Sequence, residues 1–282
     1  MKSNFLCSPR LLRGLHAVFF GVNFRIKKSE NFVKSVDIFL KIWYNIIREM
    51  CLREENAMIN IAIDGPVGAG KSTVARECAK RLGIIYVDTG AMYRACALFC
   101  VRNGLEIKPE NEADIAKLLN DGLKLGITLV DGVQHVIVNG EDVSEAIREN
   151  SISMAASAVS ALASVRAFLL GKQRELAAGN SVIMDGRDIG TVVLPNADLK
   201  IFITAKPEIR AKRRYDELIA KGTEITFDEV LADLNKRDYN DTHRKEAPLK
   251  QADDAVLLDT SELNFEQSVA RVTELAEKLG KL

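Results

Sequence analysis

The chain has 282 residues, of which 47% are hydrophobic and 28% charged, which is typical of one large or two ordinary globular domains and excludes wholesale disorder. Its 39 Lys and Arg balance 39 Asp and Glu, so the formal net charge is zero and a generally basic nucleic-acid-binding protein is excluded. The 18 Gly and 6 Pro exclude a collagen-like chain, and the lack of any run of about 18 apolar residues predicts no membrane span.

Residues 1–57 differ in charge from the rest of the chain. They contain ten Lys and Arg against five Asp and Glu, an excess of five positive charges, which leaves five net negative charges on residues 58–282. Met58 begins a strand-like segment that leads directly into the first motif. We therefore expect Met58 to be the physiological start and residues 1–57 to be an upstream extension or a weakly ordered tail. A targeting presequence is the alternative.

From residue 58 onward, predicted strands and helices alternate, which is typical of an α/β fold with a parallel sheet and helices on both faces. Five short apolar runs predict buried parallel strands: residues 59–63, 84–87, 181–184, 199–203 and 255–258. Helical spacing predicts seven helices: residues 72–82, 91–103, 110–123, 153–178, 207–221, 227–238 and 265–279. Thr226 and Glu229 form a capping-box pattern at the start of the helix over 227–238.

Two stretches interrupt this alternation. Residues 127–130 and 135–139 are strand-like and flank Asp131-Gly132, a pair typical of a β-hairpin turn. We predict one insertion at about 126–160 that contains this hairpin, and a second at about 206–246 that is rich in Arg, Lys and Asp. Both interrupt a single domain over residues 58–282.

The cysteines are not spaced as zinc ligands are, so we predict reduced thiols rather than a metal site. Two of them lie four residues apart on a predicted helix and are expected on its buried face. The five are Cys7, Cys51, Cys78, Cys96 and Cys100.

One glycine-rich segment carries most of the chemical information. It fits the pattern GxxxxGK[ST] at every fixed position, and a predicted strand precedes it while a predicted helix follows it, so a chance glycine-rich turn is disfavoured. Glycines let the main chain direct several N–H groups at phosphate oxygens, and the helix N-terminus adds its positive dipole end. Lys71 is expected to contact the β- and γ-phosphates, and Ser72 to ligate Mg²⁺. The nucleotide-binding residues are Gly65, Pro66, Val67, Gly68, Ala69, Gly70, Lys71, Ser72 and Thr73.

This phosphate-binding loop does not identify what is phosphorylated, and three classes compete: a small-molecule kinase, a GTPase-type switch, and an ATPase that acts on a macromolecule. Residues 235–238 match the NKxD motif by which GTPases read guanine. Their surroundings have helical spacing, however, and no DxxG follows the loop, so two parts of a GTPase are missing.

Arginines after several predicted strands favour a small, phosphate-bearing acceptor. Guanidinium groups bind phosphate at two points, and open α/β sheets bind ligands at the carboxyl ends of their strands. A solvated surface charge is the alternative for each arginine. Asp185 ends an apolar strand and is expected to hold Mg²⁺ through water, or else to cap a helix. The side chains expected at an acceptor site include Arg94, Arg166, Arg187, Arg237, Asp241 and Arg244.

At these residues the sequence resembles the bacterial cytidylate kinases (CMP kinases), of the nucleoside-monophosphate kinase group of P-loop kinases. The matching stretches are IDGPVGAGKST, VDTGAMYR, DGRDIGTVV and RDYNDTHRKEAPL, and they span residues 58–282. The resemblance implies a five-stranded P-loop core, a small β-containing NMP-binding insertion and a short lid, which fall where the two insertions are predicted. It also implies Mg²⁺-dependent transfer of the γ-phosphoryl group of ATP to CMP or dCMP.

The resemblance further implies roles for individual side chains. Lys71, Arg94, Arg187 and Arg244 would be catalytic, the three arginines by holding the CMP phosphate. Ser157, Arg166 and Asp188 would read cytosine, Arg237 and Asp241 would contact the sugar, and Thr89 would lie near the acceptor. Arg210, Arg213 and Arg214 would lie on the helix leading into the lid, with Arg214 as an ATP contact. We expect a cytoplasmic monomer that binds neither nucleic acid nor membrane.

Overall fold

The structure, a computed structural model, describes residues 58–130 and 133–280. Its strands are β1 (Asn60–Asp64), β2 (Ile85–Asp88), β3 (Leu125–Val130), β4 (Val133–Val138), β5 (Glu141–Asp142), β6 (Val182–Gly186), β7 (Leu199–Thr204) and β8 (Val256–Asp259). Its α-helices are α1 (Lys71–Leu82), α2 (Thr89–Arg102), α3 (Glu112–Gly122), α4 (Asn150–Val159), α5 (Ala163–Ala178), α6 (Pro207–Ala220), α7 (Phe227–His243) and α8 (Phe265–Glu277). The expectations for residues 1–57 lie outside the described residues.

The core is a five-stranded parallel sheet in the order β2-β6-β1-β7-β8. The two strands at its centre, β1 and β6, are buried along almost their whole length, which is why each reads as a continuous apolar run. The prediction of five parallel strands is confirmed, with each strand within one or two residues of its expected position. Because the strands are parallel, β1, β2 and β6 bring their carboxyl ends to the same edge.

A second, three-stranded antiparallel sheet forms in the order β3-β4-β5. The predicted hairpin is confirmed by the pairing of β3 with β4, for example Ile127 opposite Val136, while the expected turn at 131–132 lies outside the described residues. Gln134 on β4 attaches this sheet to the core: its Oε1 accepts from the Asp88 N–H at 2.8 Å and its Nε2 donates to the Asp88 carbonyl at 3.3 Å. The small sheet is thereby anchored at the end of β2.

The prediction of one helix over 153–178 is wrong, because the chain breaks at 160–162 into α4 and α5. The two helices meet at 96°. Leu162 is extended at the break and buried, and Glu112 on α3 accepts from the Ser164 N–H at 2.8 Å, which satisfies a free donor in the first turn of α5. The apolar spacing continues across the break because Val159, Leu162 and Val165 all enter one core.

The remaining helices agree more closely with the predictions. Thr226 and Glu229 form the expected capping box at the start of α7, although this helix continues to His243 rather than ending at 238. Cys96 and Cys100 are fully buried on α2, as predicted. Among the described residues no single helix is long and apolar enough to cross a membrane; the bent pair 151–159 and 163–178 reaches that length and apolarity only when taken together.

Candidate active site

The glycine-rich loop joins β1 to α1 at the carboxyl edge of the sheet. Gly65 has a φ of 147°, and a Cβ there would lie 1.9 Å from the Ile203 carbonyl oxygen, so only glycine fits this crossing. Lys71, the first residue of α1, is buried and donates from Nζ to the Pro66 carbonyl across the loop at 2.8 Å. The loop is thus held closed around the ammonium group, as expected for a phosphate-binding loop.

Burial, and then the positive charge of Arg187, lower the pKa of Lys71 to about 7. The negative charges of Asp185, Asp64 and Asp241 act in the opposite direction. Four charged side chains, from β1, β6, the residue after β6 and α7, therefore lie close enough to this ammonium group to influence its pKa. An anionic ligand in the loop favours the charged form of Lys71.

A carboxylate and a hydroxyl group meet beside the loop. Ser72 Oγ donates to Asp185 Oδ2 at 2.6 Å, and Tyr86 donates from its hydroxyl to Asp185 Oδ1 at 3.1 Å. Burial, and then the negative charge of Asp88, raise the pKa of Asp185 to about 6, against the opposing effect of Lys71. Asp185 thus contacts the loop residue Ser72 rather than capping a helix, and a bound cation would stabilise its charged form.

The first of the predicted acceptor-site arginines, Arg94, lies on α2, which begins directly after β2. Asp88 caps α2 by accepting from the Ala91 N–H at 2.9 Å, and its other oxygen pairs with Arg94 at 2.9 Å. The Nε atom of Arg94 is buried and has no hydrogen-bond partner among the described residues. Thr89 is buried, and its hydroxyl donates to the Asp185 carbonyl at 2.7 Å.

Three further ion pairs involve the two residues that directly follow β6. Arg187 donates from Nε to Asp241 on α7 at 2.8 Å. Asp188 is buried between two arginines: Arg166 on α5 bonds one carboxylate oxygen, and Arg244, just after α7, lies 3.4 Å from the other. Residues from β6, α5 and the end of α7, distant in sequence, thus meet in one charged cluster.

Three predicted residues do not join this cluster. Ser157 is half-buried on α4, and its carbonyl accepts a hydrogen bond from the Ser160 hydroxyl. Arg237 pairs with Asp233 one turn earlier on α7. Arg214 lies on α6 and pairs with Glu217 on the same helix. The NKxD-like residues 235–238 lie within α7, which confirms that they do not end a strand.

Sequence reasoning missed several side chains that the fold brings to the site. Asp64, at the end of β1, accepts from two main-chain N–H groups after β6. The Arg166 guanidinium group lies over the ring of Tyr93, with Cζ 5.7 Å from the centroid of that ring. Arg210 is expected on the helix leading into the lid, but its contacts are not predicted: it is buried on α6 and bonds both the Val67 carbonyl of the loop and Asp238 on α7. Asp64 and Tyr93 lie inside motifs quoted above, and that position is the only sequence signal for them.

Comparison with known proteins agrees with this arrangement. The model of the family described as cytidylate kinase matches residues 61–278. A protein named cytidylate kinase from Caldicellulosiruptor bescii is 50% identical over 79% of this chain and 97% of its own length. Relatives of the same name from Caldanaerobacter subterraneus subsp. tengcongensis and Parabacteroides distasonis are 49% and 44% identical, over 80% and 78% of this chain and 98% and 97% of their own lengths. The glycine-rich loop, the arginine cluster and these matches agree: the chain belongs to the cytidylate kinase family.

Proposed function

We propose that the chain transfers the γ-phosphoryl group of ATP to CMP or dCMP, giving ADP and CDP or dCDP. The observation that carries this proposal is the presence of two cationic sites side by side. One is the loop around Lys71, and the other is the arginine cluster that begins at Arg187. They are close enough for the charge of Arg187 to lower the pKa of Lys71. A protein that only hydrolyses ATP has no need of a second phosphate site.

ATP binds with its phosphates against the loop formed by residues 65–73. The main-chain N–H groups of the loop and the N-terminus of α1 face the phosphate oxygens, and Lys71 supplies a positive charge. When the phosphates enter, Lys71 Nζ exchanges its bond with the Pro66 carbonyl for bonds to phosphate.

CMP binds on the other side of Lys71. Arg94, Arg187 and Arg244 hold its phosphate, because guanidinium groups bind phosphate oxygens at two points. Asp188 accepts from the exocyclic amine of cytosine, because each carboxylate oxygen still has a lone pair besides the one used by Arg166 or Arg244. By the resemblance, Ser157 and Arg166 assist at the base, Arg237 and Asp241 contact the sugar, and Thr89 lies near the acceptor.

The transfer itself depends on positioning and on neutralising charge. The attacking atom is a phosphate oxygen that is already ionised, so no general base is needed. Guanidinium groups hold two anionic phosphates close together, and Lys71 stabilises the charge that accumulates on the transferred group.

The residues beside the loop fit Mg²⁺, which we propose as the cofactor. Ser72 and Asp185 present a hydroxyl and a carboxylate oxygen 2.6 Å apart, and oxygen is the ligand atom that Mg²⁺ prefers. No group of three or more His, Cys, Asp or Glu side chains suited to a metal occurs among the described residues. Mg²⁺ would be bound by one or two protein oxygens and would complete its coordination with water and phosphate oxygens. The cation would then neutralise part of the phosphate charge.

We also propose that the protein acts as a monomer in the cytoplasm. Three cysteines in the described part of the chain, Cys78, Cys96 and Cys100, are buried free thiols, which supports a reducing compartment. Size-exclusion chromatography with light scattering and fractionation of the source cells test the two statements.

The proposed reaction is tested by measuring ADP formation from ATP with CMP, dCMP, UMP, AMP or GMP as the acceptor. We expect turnover with CMP and dCMP that greatly exceeds turnover with AMP and GMP. Lys71→Met, which keeps the apolar stem, abolishes turnover, and Lys172→Met serves as the matched control that leaves it intact. Equal rates with all five acceptors, or slow ATP hydrolysis that ignores every acceptor, would contradict the proposal.

A further inference from the structure

We infer that Asp64 and Arg174 are positioning residues that hold one turn of the chain, Ile189–Val193, and through it fix Asp188 in the acceptor site. The inference deepens the proposed function and rests on it. Neither residue is among those assigned to CMP above. Each of them makes two hydrogen bonds to the main chain at one end of this turn.

Asp64 holds the beginning of the turn. Its side chain is buried, with 5% of the residue exposed, and each of its oxygens accepts one main-chain hydrogen bond at 2.7 Å: Oδ1 from Ile189 and Oδ2 from Gly190. Only an ionised carboxylate offers two equivalent acceptors in this geometry, because an amide presents one acceptor and one donor. The strand β1 thereby fixes two successive peptide groups directly after Asp188.

Arg174 holds the other end of the turn from outside. It lies on the surface of α5 and donates from Nε to the Val193 carbonyl at 3.0 Å and from Nη2 to the Val192 carbonyl at 2.8 Å. The guanidinium fork matches two successive carbonyl groups, which a single ammonium group does not. The turn is therefore bonded at its N–H groups by β1 and at its carbonyl groups by α5.

The turn has little freedom to shift between these contacts. A Cβ on Gly190 would lie 3.3 Å from Asp64 Oδ2 and 3.1 Å from Lys200 Cδ, so Gly190 packs tightly against both side chains. The Asp188 carbonyl accepts from Val192 and Val193 at 2.9 and 3.2 Å. The backbone of Asp188 is thus part of the held turn, while its carboxylate faces Arg166 and Arg244.

Releasing either end of the turn is therefore expected to weaken CMP binding and to spare ATP binding. Asp64 directly precedes the glycine-rich loop, so a variant at Asp64 alone does not separate the two effects. Arg174 lies on α5, and within the described part of the chain its side chain bonds only the turn. As a surface residue it is replaceable without leaving a cavity. Lys172, on the same helix and in contact with the Phe168 ring, is the matched control.

The test measures kcat and the KM values for CMP and ATP in Arg174→Ala, Arg174→Lys, Asp64→Asn and Lys172→Ala, with a melting curve for each. We expect Arg174→Ala to raise KM for CMP about tenfold, the size of effect that two hydrogen bonds give, and to leave KM for ATP within about twofold. Arg174→Lys restores part of the loss, Asp64→Asn raises KM for CMP by a similar factor, and Lys172→Ala resembles the wild type. In an Asp188→Ala background, Arg174→Ala adds little, because the group that it positions is gone.

Two results would overturn the inference: an unchanged KM for CMP in Arg174→Ala, or equal increases in both KM values. A wild-type protein that does not phosphorylate CMP would instead overturn the proposed function, and this inference with it. The wild-type measurement and the variant-to-wild-type ratios thus report on the two claims separately.

Discussion

The buried ammonium group of Lys71 is expected to make ATP binding take up a proton. Burial and the charge of Arg187 lower the pKa of Lys71 to about 7, so at about pH 8 most of the free protein carries a neutral amine at this position. Phosphate oxygens bind the ammonium form and raise its pKa. ATP binding therefore brings a proton onto Lys71, and the uptake approaches one proton per ATP as the pH rises above 7.

The sign and size of the pH effect follow from this linkage. As pH rises above about 7, the free protein must regain a proton to bind ATP, so affinity falls by up to about tenfold, or about 1.4 kcal/mol, per pH unit. Ionisation of ATP itself does not account for this, because the second pKa of a phosphate ester lies near 6. The fall continues until the pKa of Lys71 in the complex is reached.

Calorimetric titration with ATP, in two buffers that differ in ionisation enthalpy, measures this proton uptake directly. We expect close to one proton at about pH 8 for the wild type and for Lys172→Met, and none for Lys71→Met. Arg187→Gln removes the second cause of the lowered pKa, so its uptake curve shifts to higher pH. Zero uptake by the wild type at that pH, with constant affinity up to about pH 9, would refute the reasoning.

Three further variants test other parts of the site. Asp188→Ala is expected to raise KM for CMP at least about tenfold while KM for ATP changes little, since it removes a base contact and leaves the loop intact; equal changes in the two KM values from initial-rate kinetics would count against this. Arg210→Met leaves the partly buried carboxylate of Asp238 without its partner and should lower the free energy of unfolding by about 2 kcal/mol in urea titrations; an unchanged midpoint and slope would show that the pair contributes nothing. Gly65→Ala brings a methyl group within 1.9 Å of a carbonyl oxygen, so we expect loss of ATP binding by calorimetry, and retained affinity would contradict the described loop geometry.

The sequence predicts the parallel sheet because each strand can be recognised from the residues within it. β1 and β6 are buried on both faces over almost their whole length, so residues 61–63 and 182–184 form continuous apolar runs, each followed by an aspartate. The break between α4 and α5 has no such local signal. No Pro or Gly marks residues 160–162, and α5 begins there because Glu112, some fifty positions earlier, accepts from the Ser164 N–H. The turn at 189–193 likewise depends on Asp64, 125 positions away in the chain.

The candidate site likewise has one part that the local sequence predicts and another that depends on residues distant in sequence. The glycine-rich loop is recognisable from spacing alone, because one continuous segment carries all its functional groups. The arginine cluster cannot be recognised from spacing, because its ion pairs join residues that are distant in sequence. Arg187 pairs with Asp241, which lies 54 positions later, and Arg166 pairs with Asp188, which lies 22 positions later. Sequence spacing predicted that arginines follow the strands, and the family resemblance supplied their roles. Only the fold shows which carboxylate holds each guanidinium group.

Those carboxylates explain how so many positive charges lie close together before any substrate arrives. Arg94 pairs with Asp88, Arg187 with Asp241, and both Arg166 and Arg244 with Asp188. Without such partners the guanidinium groups would repel one another, as the lowered pKa of Arg244 indicates: burial is its first cause and the charge of Arg166 its second.

A guanidinium group has five N–H donors, and a carboxylate uses at most two of them from one side. Each ion pair, such as that of Arg94 Nη2 with Asp88, therefore fixes an arginine while leaving other donors for phosphate. Phosphate then adds to groups that are already oriented, and little side-chain entropy is lost on binding. The acidic residues of the site thus take part in binding an anion by holding the cations that contact it.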